Sequence, residues 1–281
     1  MCGIIAAASN RNVGKLLVQG LHKMEYRGYD SAGIALHQTD QIAHLRTLGK
    51  VKLLEEKMIA EKPKSKLGIA HTRWATHGEP SEENAHPHMS NERVYIVHNG
   101  IIENYLDLKD FLKKEGYSFS SQTDSELIAH LLEYFLNKGN NMLDSMYLTK
   151  EKLDGAYAIA AIDKEDDQNI IIARSKSPLL IGIGMDEFLA ASDPLAIGQL
   201  TNEFIFLEDG DVAELSSESY TIFDDSKKKV EREISQIDIS SQATSKGEYR
   251  HFMEKEIYEQ PEAILKTCLL YTSDAADDPT C

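Results

Sequence analysis

A cysteine at the second position brings nucleophilic chemistry to the start of this chain. Cys2 follows Met1 and precedes a glycine and an apolar run over residues 4–8. If the initiator methionine is removed, Cys2 carries a thiol of ordinary pKa about 8.5 and an α-amine of about 7.7 to 8.0, so the amine can accept the thiol proton and later return it. The alternative interpretation is a small buried residue that begins a strand.

Groups that could bind or polarise a substrate follow in two later segments. Arg73, within the run 70–80, has a planar guanidinium that suits a carboxylate, whereas a single arginine at a strand end is ordinarily a surface residue. Its neighbour Trp74 is the only tryptophan, and by itself it is more typical of a core or interface anchor. Asn99 and Gly100 form either a tight turn or an oxyanion hole, in which a side-chain amide and an unobstructed backbone N–H face one point.

Two further polar segments admit both a structural and a functional interpretation. Asp124 lies in the run 122–126 at a predicted helix start, where the helix dipole favours an acid. The same carboxylate can also hold an ammonium group. Residues 25–33, which include Arg27, form a polar and glycine-rich loop that a turn alone would explain.

Four histidines close together in the sequence raise the question of a metal site. They are His71, His77, His86 and His88. Zinc needs three or four convergent ligands, and these histidines have neither a regular helical spacing nor a cysteine partner. We therefore expect no metal, and no cofactor is implied.

The elements that must position these residues alternate between helical and strand-like periods. Helices are predicted over residues 13–24 and 104–114, from Thr123, where Thr123 and Glu126 have capping-box spacing, and over 251–266. Strands are predicted over residues 31–37, 41–46, 66–72, 93–98, 156–162, 169–173, 178–183, 203–207, 211–215 and 219–223. Because helices cluster early and short strands dominate late, the pattern predicts an α+β domain with helix-covered antiparallel sheets.

Composition excludes some classes of binding partner and indicates the cellular compartment. The 281 residues carry a net charge of −16, which argues against nucleic acid because phosphate backbones repel such a surface. No apolar run approaches the roughly 20 residues that span a bilayer, and no basic region of a signal peptide precedes the first apolar run. The cysteines at 2, 268 and 281 make no disulfide framework. We expect a cytoplasmic protein without a membrane partner.

Together these runs resemble the glutaminase domain of the class II, N-terminal nucleophile glutamine amidotransferases, and most closely the glucosamine-6-phosphate synthase branch of that family. The matching runs are residues 2–4, 25–33, 71–80, 98–104 and 122–126, with 249–261 further on. The resemblance covers about residues 1–266. It implies an N-terminal nucleophile hydrolase αββα sandwich, with two antiparallel sheets between helix layers and the Cys2 strand in a central position.

The resemblance also implies a mechanism. Cys2 would attack the side-chain amide carbon of L-glutamine while Asn99 and Gly100 donate hydrogen bonds to the oxyanion, and water would hydrolyse the resulting thioester. The family motif places Arg27 near the nucleophile without a defined step.

Substrate binding is implied for a second group of residues. Arg73 would pair with the glutamine α-carboxylate and Asp124 with its α-ammonium, while Thr76 and His77 complete the pocket. Trp74 would help to gate the route of ammonia to a second site.

The domain organisation follows from the same comparison of motifs. Residues 1–240 would form the glutaminase domain, 241–266 a linker and helix leading to an absent sugar-isomerase half, and 267–281 an off-pattern tail. By composition alone, residues 224–250 are predicted to be a linker. Fructose 6-phosphate would bind only through the absent half. The full-length form would be a homodimer, and this truncated chain would act only as a glutaminase.

Two alternatives stay open at this level. The chain could be the glutaminase of another class II amidotransferase with a different acceptor. It could also be a non-catalytic module that binds glutamine or docks a partner, which retention of Met1 would favour because it blocks the free amine.

Overall fold

The computed structural model describes residues 2–39, 41–74, 78–237, 249, 253–255, 257–261 and 264. By its contacts the chain divides into two units, Met1–Ile239 and Ser240–Cys281. In the second unit the described residues between 253 and 264 are helical, which agrees with the helix predicted over 251–266. The tail predicted over 267–281 lies outside the described residues.

The first unit consists of two sheets and five helices within its described residues. The strands are β1 (Gly3–Ser9), β2 (Ser31–His37), β3 (Ile42–Leu48), β4 (Leu67–Arg73), β5 (His88–Ser90), β6 (Val94–Ile102), β7 (Gly155–Asp163), β8 (Ile170–Ser175), β9 (Leu180–Gly184), β10 (Glu187–Ala191), β11 (Glu203–Phe206), β12 (Val212–Leu215), β13 (Tyr220–Phe223), β14 (Lys229–Val230) and β15 (Ile234–Gln236). The helices are α1 (Gly14–Met24), α2 (Val51–Glu61), α3 (Tyr105–Lys114), α4 (Glu126–Asn137) and α5 (Met142–Lys150), with 3-10 helices at Glu25–Arg27 and Pro194–Ala196.

Every strand pairing within the two sheets is antiparallel. The eight-stranded sheet has the order β15-β11-β9-β10-β1-β4-β2-β3, and the seven-stranded sheet has the order β14-β13-β12-β8-β7-β6-β5. β1 therefore lies in the interior of its sheet, between β10 and β4, as predicted for the Cys2 strand. Gly3 pairs with Thr72, which brings the beginning of β1 beside the end of β4.

The alternation of side chains along β1 explains the layers. Ile4 and Ala6 join the core between the two sheets, whereas Ile5 and Ala7 pack in a second core with the buried side of α1. Successive strand residues point to opposite faces, so a strand that is apolar at every position must be covered on both sides. On the other sheet, α3, α4 and α5 contribute to a third core with residues of β6 and β7. The result is the predicted αββα arrangement, and the α+β fold class is confirmed.

Several local predictions are wrong or incomplete. The part of 224–250 assigned to a linker contains β14 and β15, and β15 pairs with β11. These are short edge strands, where polar and charged residues are favoured, so they lack the apolar alternation of an inner strand.

The predicted capping box at α4 is also wrong. The residue before the helix is Ser125, and it makes no side-chain cap. The Thr123 hydroxyl lies 3.0 Å from His88 Nε2, and the Glu126 carboxylate accepts hydrogen bonds from Ser120 and Ser121. Across the described part of the chain, no helix has the length and apolar character needed to cross a membrane.

Candidate active site

Cys2 lies where two neighbouring inner strands of the larger sheet, β1 and β4, bring distant residues together. Because β4 runs antiparallel to β1, the residues that follow β4 lie beside Cys2. The Trp74 backbone N–H donates to Cys2 Sγ at 3.3 Å. Burial raises the pKa of the Cys2 thiol, and the Trp74 hydrogen bond and the Arg73 charge only partly oppose this. The sulfur is therefore a thiol that needs a base before it can attack.

Arg73, the last residue of β4, is buried rather than exposed at the surface. Its side chain is 4% exposed, and its guanidinium donates to the backbone oxygens of Gly78 and Glu79 at 3.3 and 3.4 Å. Burial lowers the pKa of Arg73, while the charges of Cys2, Asp30 and Asp124 raise it. An arginine stays protonated in proteins, so a cation is held near the Cys2 thiol.

Asn99 and Gly100 lie inside β6 rather than in a tight turn. Their pairing partners on β7 are Ala158 and Tyr157, and the strand continues to Ile102. Asn99 Nδ2 donates to the backbone oxygen of Cys2 at 3.3 Å, which links the two sheets. Gly100 has φ +138°, and a Cβ there would lie 1.9 Å from a backbone oxygen of β7. A side chain at position 100 is excluded on both counts.

Asp124 comes just before α4 and is 6% exposed. Its Oδ2 accepts a hydrogen bond from the backbone N–H of Ile102 at 2.8 Å, and the Ser125 hydroxyl lies 3.4 Å from Oδ1. Asp124 thus joins the start of α4 to the end of β6. One carboxylate group therefore has a structural contact and also faces the cleft beside Cys2.

Residues from both sheets line that cleft. They are Cys2, Arg73, Trp74, His86, His98, Gly100, Thr123, Asp124 and Ser125. The cleft volume is about 30 Å³, which is room for one or two water molecules.

The other residues implied by the resemblance are placed less completely. Thr76 and His77 lie outside the described residues. Arg27 ends the 3-10 helix Glu25–Arg27. The Trp74 side chain is 51% exposed, and Gly28, with φ +132°, would bring a Cβ within 1.8 Å of its Cε3 atom. The indole therefore lies directly against the Gly28 backbone, which a larger residue would prevent.

Comparison with known proteins shows which proteins this chain is similar to. Residues 71–199 match a family model described as a glutamine amidotransferase domain. Glutamine–fructose-6-phosphate aminotransferases [isomerizing] from Vibrio parahaemolyticus and Haemophilus influenzae are each 49% identical to this chain over 268 and 269 residues, which is 95% of the chain and 44% of each relative. Over residues 71–199 the chain is therefore similar to a glutamine amidotransferase domain. It spans less than half the length of these curated relatives.

Solved structures share the fold of this chain. The glutamine phosphoribosylpyrophosphate amidotransferase from B. subtilis superposes with a TM-score of 0.65 at 24% identity, over 85% of this chain and 50% of that one. A glutamine aminotransferase class-II domain protein from Silicibacter pomeroyi superposes with a TM-score of 0.56 at 16% identity, over 79% of this chain and 99% of that one.

A cluster of buried histidines, of which His86 and His98 line the cleft, has no role in the predicted site. The His71 and His86 rings stack with centroids 4.1 Å apart, and His88 meets His86 edge-on at 4.5 Å. Burial lowers the pKa of His71 and His88 to about 3 and that of His98 to about 4, so these rings are neutral near pH 7. Within the described residues, no group of three or more His, Cys, Asp or Glu could hold a metal ion. The sequence offered one signal for this cluster: His71 and His98 each fall within a predicted strand, 66–72 and 93–98.

Proposed function

We propose that this chain hydrolyses L-glutamine to glutamate and ammonia, with Cys2 as the nucleophile. One observation carries the proposal: a cysteine thiol, a buried arginine and a buried aspartate line one cleft, and the Asn99 amide bonds the Cys2 backbone from the other sheet. A thiol attacks an amide carbon, an amide N–H stabilises the oxyanion, and a cation and an anion together select an α-amino acid.

The groups near the Cys2 sulfur support the following sequence of steps. With Met1 removed, the Cys2 α-amine takes the thiol proton, and the thiolate adds to the glutamine side-chain carbonyl. Asn99 and the Gly100 backbone N–H stabilise the oxyanion. Its collapse breaks the C–N bond, the amine returns the proton to the leaving ammonia, and water then hydrolyses the thioester to glutamate and the free thiol.

Recognition of the substrate uses the charged pair. The guanidinium of Arg73 binds the α-carboxylate, and the carboxylate of Asp124 binds the α-ammonium. Thr76 and His77 complete the pocket, Arg27 lies near the nucleophile, and Trp74 helps to gate the release of ammonia. These assignments rest on the family motifs that the residues match.

We propose that the physiological acceptor of the ammonia binds in the other half of a longer protein. The relatives are named glutamine–fructose-6-phosphate aminotransferases, and we assign this chain to the glutaminase half of such an enzyme, with residues 1–240 as that domain and 241–266 as the passage to the isomerase half. That full-length form would be a homodimer that aminates fructose 6-phosphate. The cysteine usage of the chain agrees with a cytoplasmic setting.

The decisive test compares two cysteine variants. The purified chain, shown by intact mass to begin at Cys2, is expected to release glutamate and ammonia from L-glutamine. Cys2→Ala should abolish this release and leave glutamine binding measurable by calorimetry, because the charged pocket is unchanged. Cys268→Ala removes a thiol elsewhere and should keep full activity. Hydrolysis that survives in Cys2→Ala contradicts the proposal, and binding without hydrolysis in the wild type indicates a non-catalytic module.

A further inference from the structure

His71 is a buried histidine that contacts the oxyanion donor. It lies on β4, fully buried, where it pairs with Ile4 of β1. Its Nε2 is 2.9 Å from Asn99 Oδ1 and 3.1 Å from the backbone oxygen of His98. The contact therefore reaches from the larger sheet to the smaller one, directly behind the amide proposed to face the substrate.

The surroundings of the ring determine where its proton is. Burial lowers the pKa of His71 to about 3, so the ring is neutral and has a single N–H. The backbone oxygen of His98 can only accept a hydrogen bond. Nδ1 has no hydrogen-bond partner among the described residues. The proton therefore belongs on Nε2, from which it donates to the two oxygens.

A fixed donor at His71 also fixes the orientation of Asn99. The amide oxygen of Asn99 is committed to Nε2–H, so its Nδ2 must point the opposite way, where it donates to the Cys2 backbone oxygen at 3.3 Å. Nδ2 carries a second hydrogen that can face an oxyanion at the attacked carbon. The opposite orientation would turn an oxygen lone pair toward that negative charge.

We propose that His71 is a positioning residue that holds the Asn99 amide with its nitrogen toward Cys2, and so prepares the oxyanion donor. This role rests on the glutamine hydrolysis proposed above. It is distinct from substrate binding, because His71 contacts neither Arg73 nor Asp124 in any described hydrogen bond.

Two substitutions separate the hydrogen bond from the bulk of the ring. His71→Gln can place an amide N–H near the Nε2 position, whereas His71→Leu fills the space without a donor. We expect His71→Leu to lower kcat by about 100-fold, the effect of losing an oxyanion donor, with KM changed by less than about threefold. His71→Gln should recover kcat to within about tenfold of the wild type.

A double-mutant cycle tests whether His71 acts through Asn99. In an Asn99→Ala background, His71→Leu should lower kcat by less than about twofold, because the group it positions is gone. His130→Leu is the matched control for loss of a buried histidine, since His130 bonds Ser90 and does not line the cleft. It should lower the melting temperature and keep kcat. Additive losses in the cycle, or equal kcat in His71→Leu and wild type, overturn the inference.

A readout that does not depend on activity separates this inference from the proposed function. In ¹⁵N-labelled protein, the Asn99 side-chain NH₂ signals are assigned by their loss in Asn99→Ala. Their exchange with solvent should be slow in wild type and His71→Gln, and at least about tenfold faster in His71→Leu. If the wild type is inactive but this pattern holds, the positioning role stands and the hydrolysis proposal fails. Unchanged exchange in His71→Leu overturns the positioning role.

Discussion

At the scale of single residues, Asp124 shows how one carboxylate serves both the fold and the cleft. Its Oδ2 accepts from the Ile102 N–H, and its charge raises the pKa of the buried Arg73. An uncharged amide oxygen could accept the same backbone hydrogen bond. The structural and electrostatic contributions are therefore separable by one substitution.

Asp124→Asn is expected to weaken glutamine binding while it preserves the fold. The asparagine Oδ1 can keep the bond to Ile102, but the substrate ammonium loses its counter-charge. A charge-assisted hydrogen bond contributes about 1.5 to 3 kcal/mol, so the calorimetric Kd should rise by about 10- to 150-fold. Asp144→Asn, at a half-exposed position on α5, is the charge-matched control and should leave Kd unchanged. An unaltered Kd in Asp124→Asn would remove Asp124 from the pocket.

Residue types alone predicted part of the candidate site. The other part depends on contacts between the two sheets. Cys2, Arg73 and Asp124 carry reactive or charged groups, so their chemistry is readable from the sequence. The role of His71 is not, because it depends on a contact between β4 and β6, which lie in different sheets. A linear sequence contains no sign of that juxtaposition.

At the scale of elements, periodicity predicted many of the strands and missed several short or polar elements. The run predicted over 31–37 is β2 as observed, because an inner strand is apolar on both faces. β14 and β15 are edge strands with polar sequences and were missed. α2 was missed as well, since only Val51 and Leu54 are buried along its length and it lacks a continuous apolar stripe.

The buried histidines predict that the fold loses stability as the pH falls. Their folded-state pKa values, about 3 for His71 and His88 and about 4 for His98, lie below the unfolded value of about 6.5. Between pH 6.5 and 4 the unfolded chain therefore binds protons that the folded chain does not. Each histidine then lowers the free energy of unfolding by about 1.4 kcal/mol per pH unit, while above pH 6.5 its contribution is constant.

Urea unfolding at a series of pH values measures this slope. In His88→Gln the dependence of unfolding free energy on pH between 6 and 4.5 should decrease by about one proton, relative to wild type. His88 is suitable because its contact to Thr123 is a single hydrogen bond that glutamine can replace. An identical slope in the two proteins would show that His88 is protonated in the folded state over this range.

At the scale of the whole molecule, the described site and the described cores belong to the first unit. Cys2, Asn99 and Asp124 come from the sandwich Met1–Ile239, and so do the apolar clusters between and outside its sheets. The hydrogen bond from Asn99 to Cys2 joins the two sheets at the cleft, so the site depends on how the sandwich packs. Among the described residues, those that line the cleft all lie in the first unit.

Truncation after Ile239 or after Lys266 should therefore leave the glutaminase rate per molecule within about twofold of the full chain, because domains with their own core fold independently.

Truncation after Lys228 is the contrasting variant. It deletes β15, which pairs with β11, and Arg232, whose guanidinium donates to both oxygens of the buried Asp211 at 3.0 and 2.8 Å. This loss leaves the buried Asp211 carboxylate without its ion-pair partner, so this variant should melt at a clearly lower temperature. The test measures the hydrolysis rate and the melting curve of all three truncated proteins. Loss of hydrolysis after truncation at Ile239, with the full chain active, would show that hydrolysis needs residues of Ser240–Cys281.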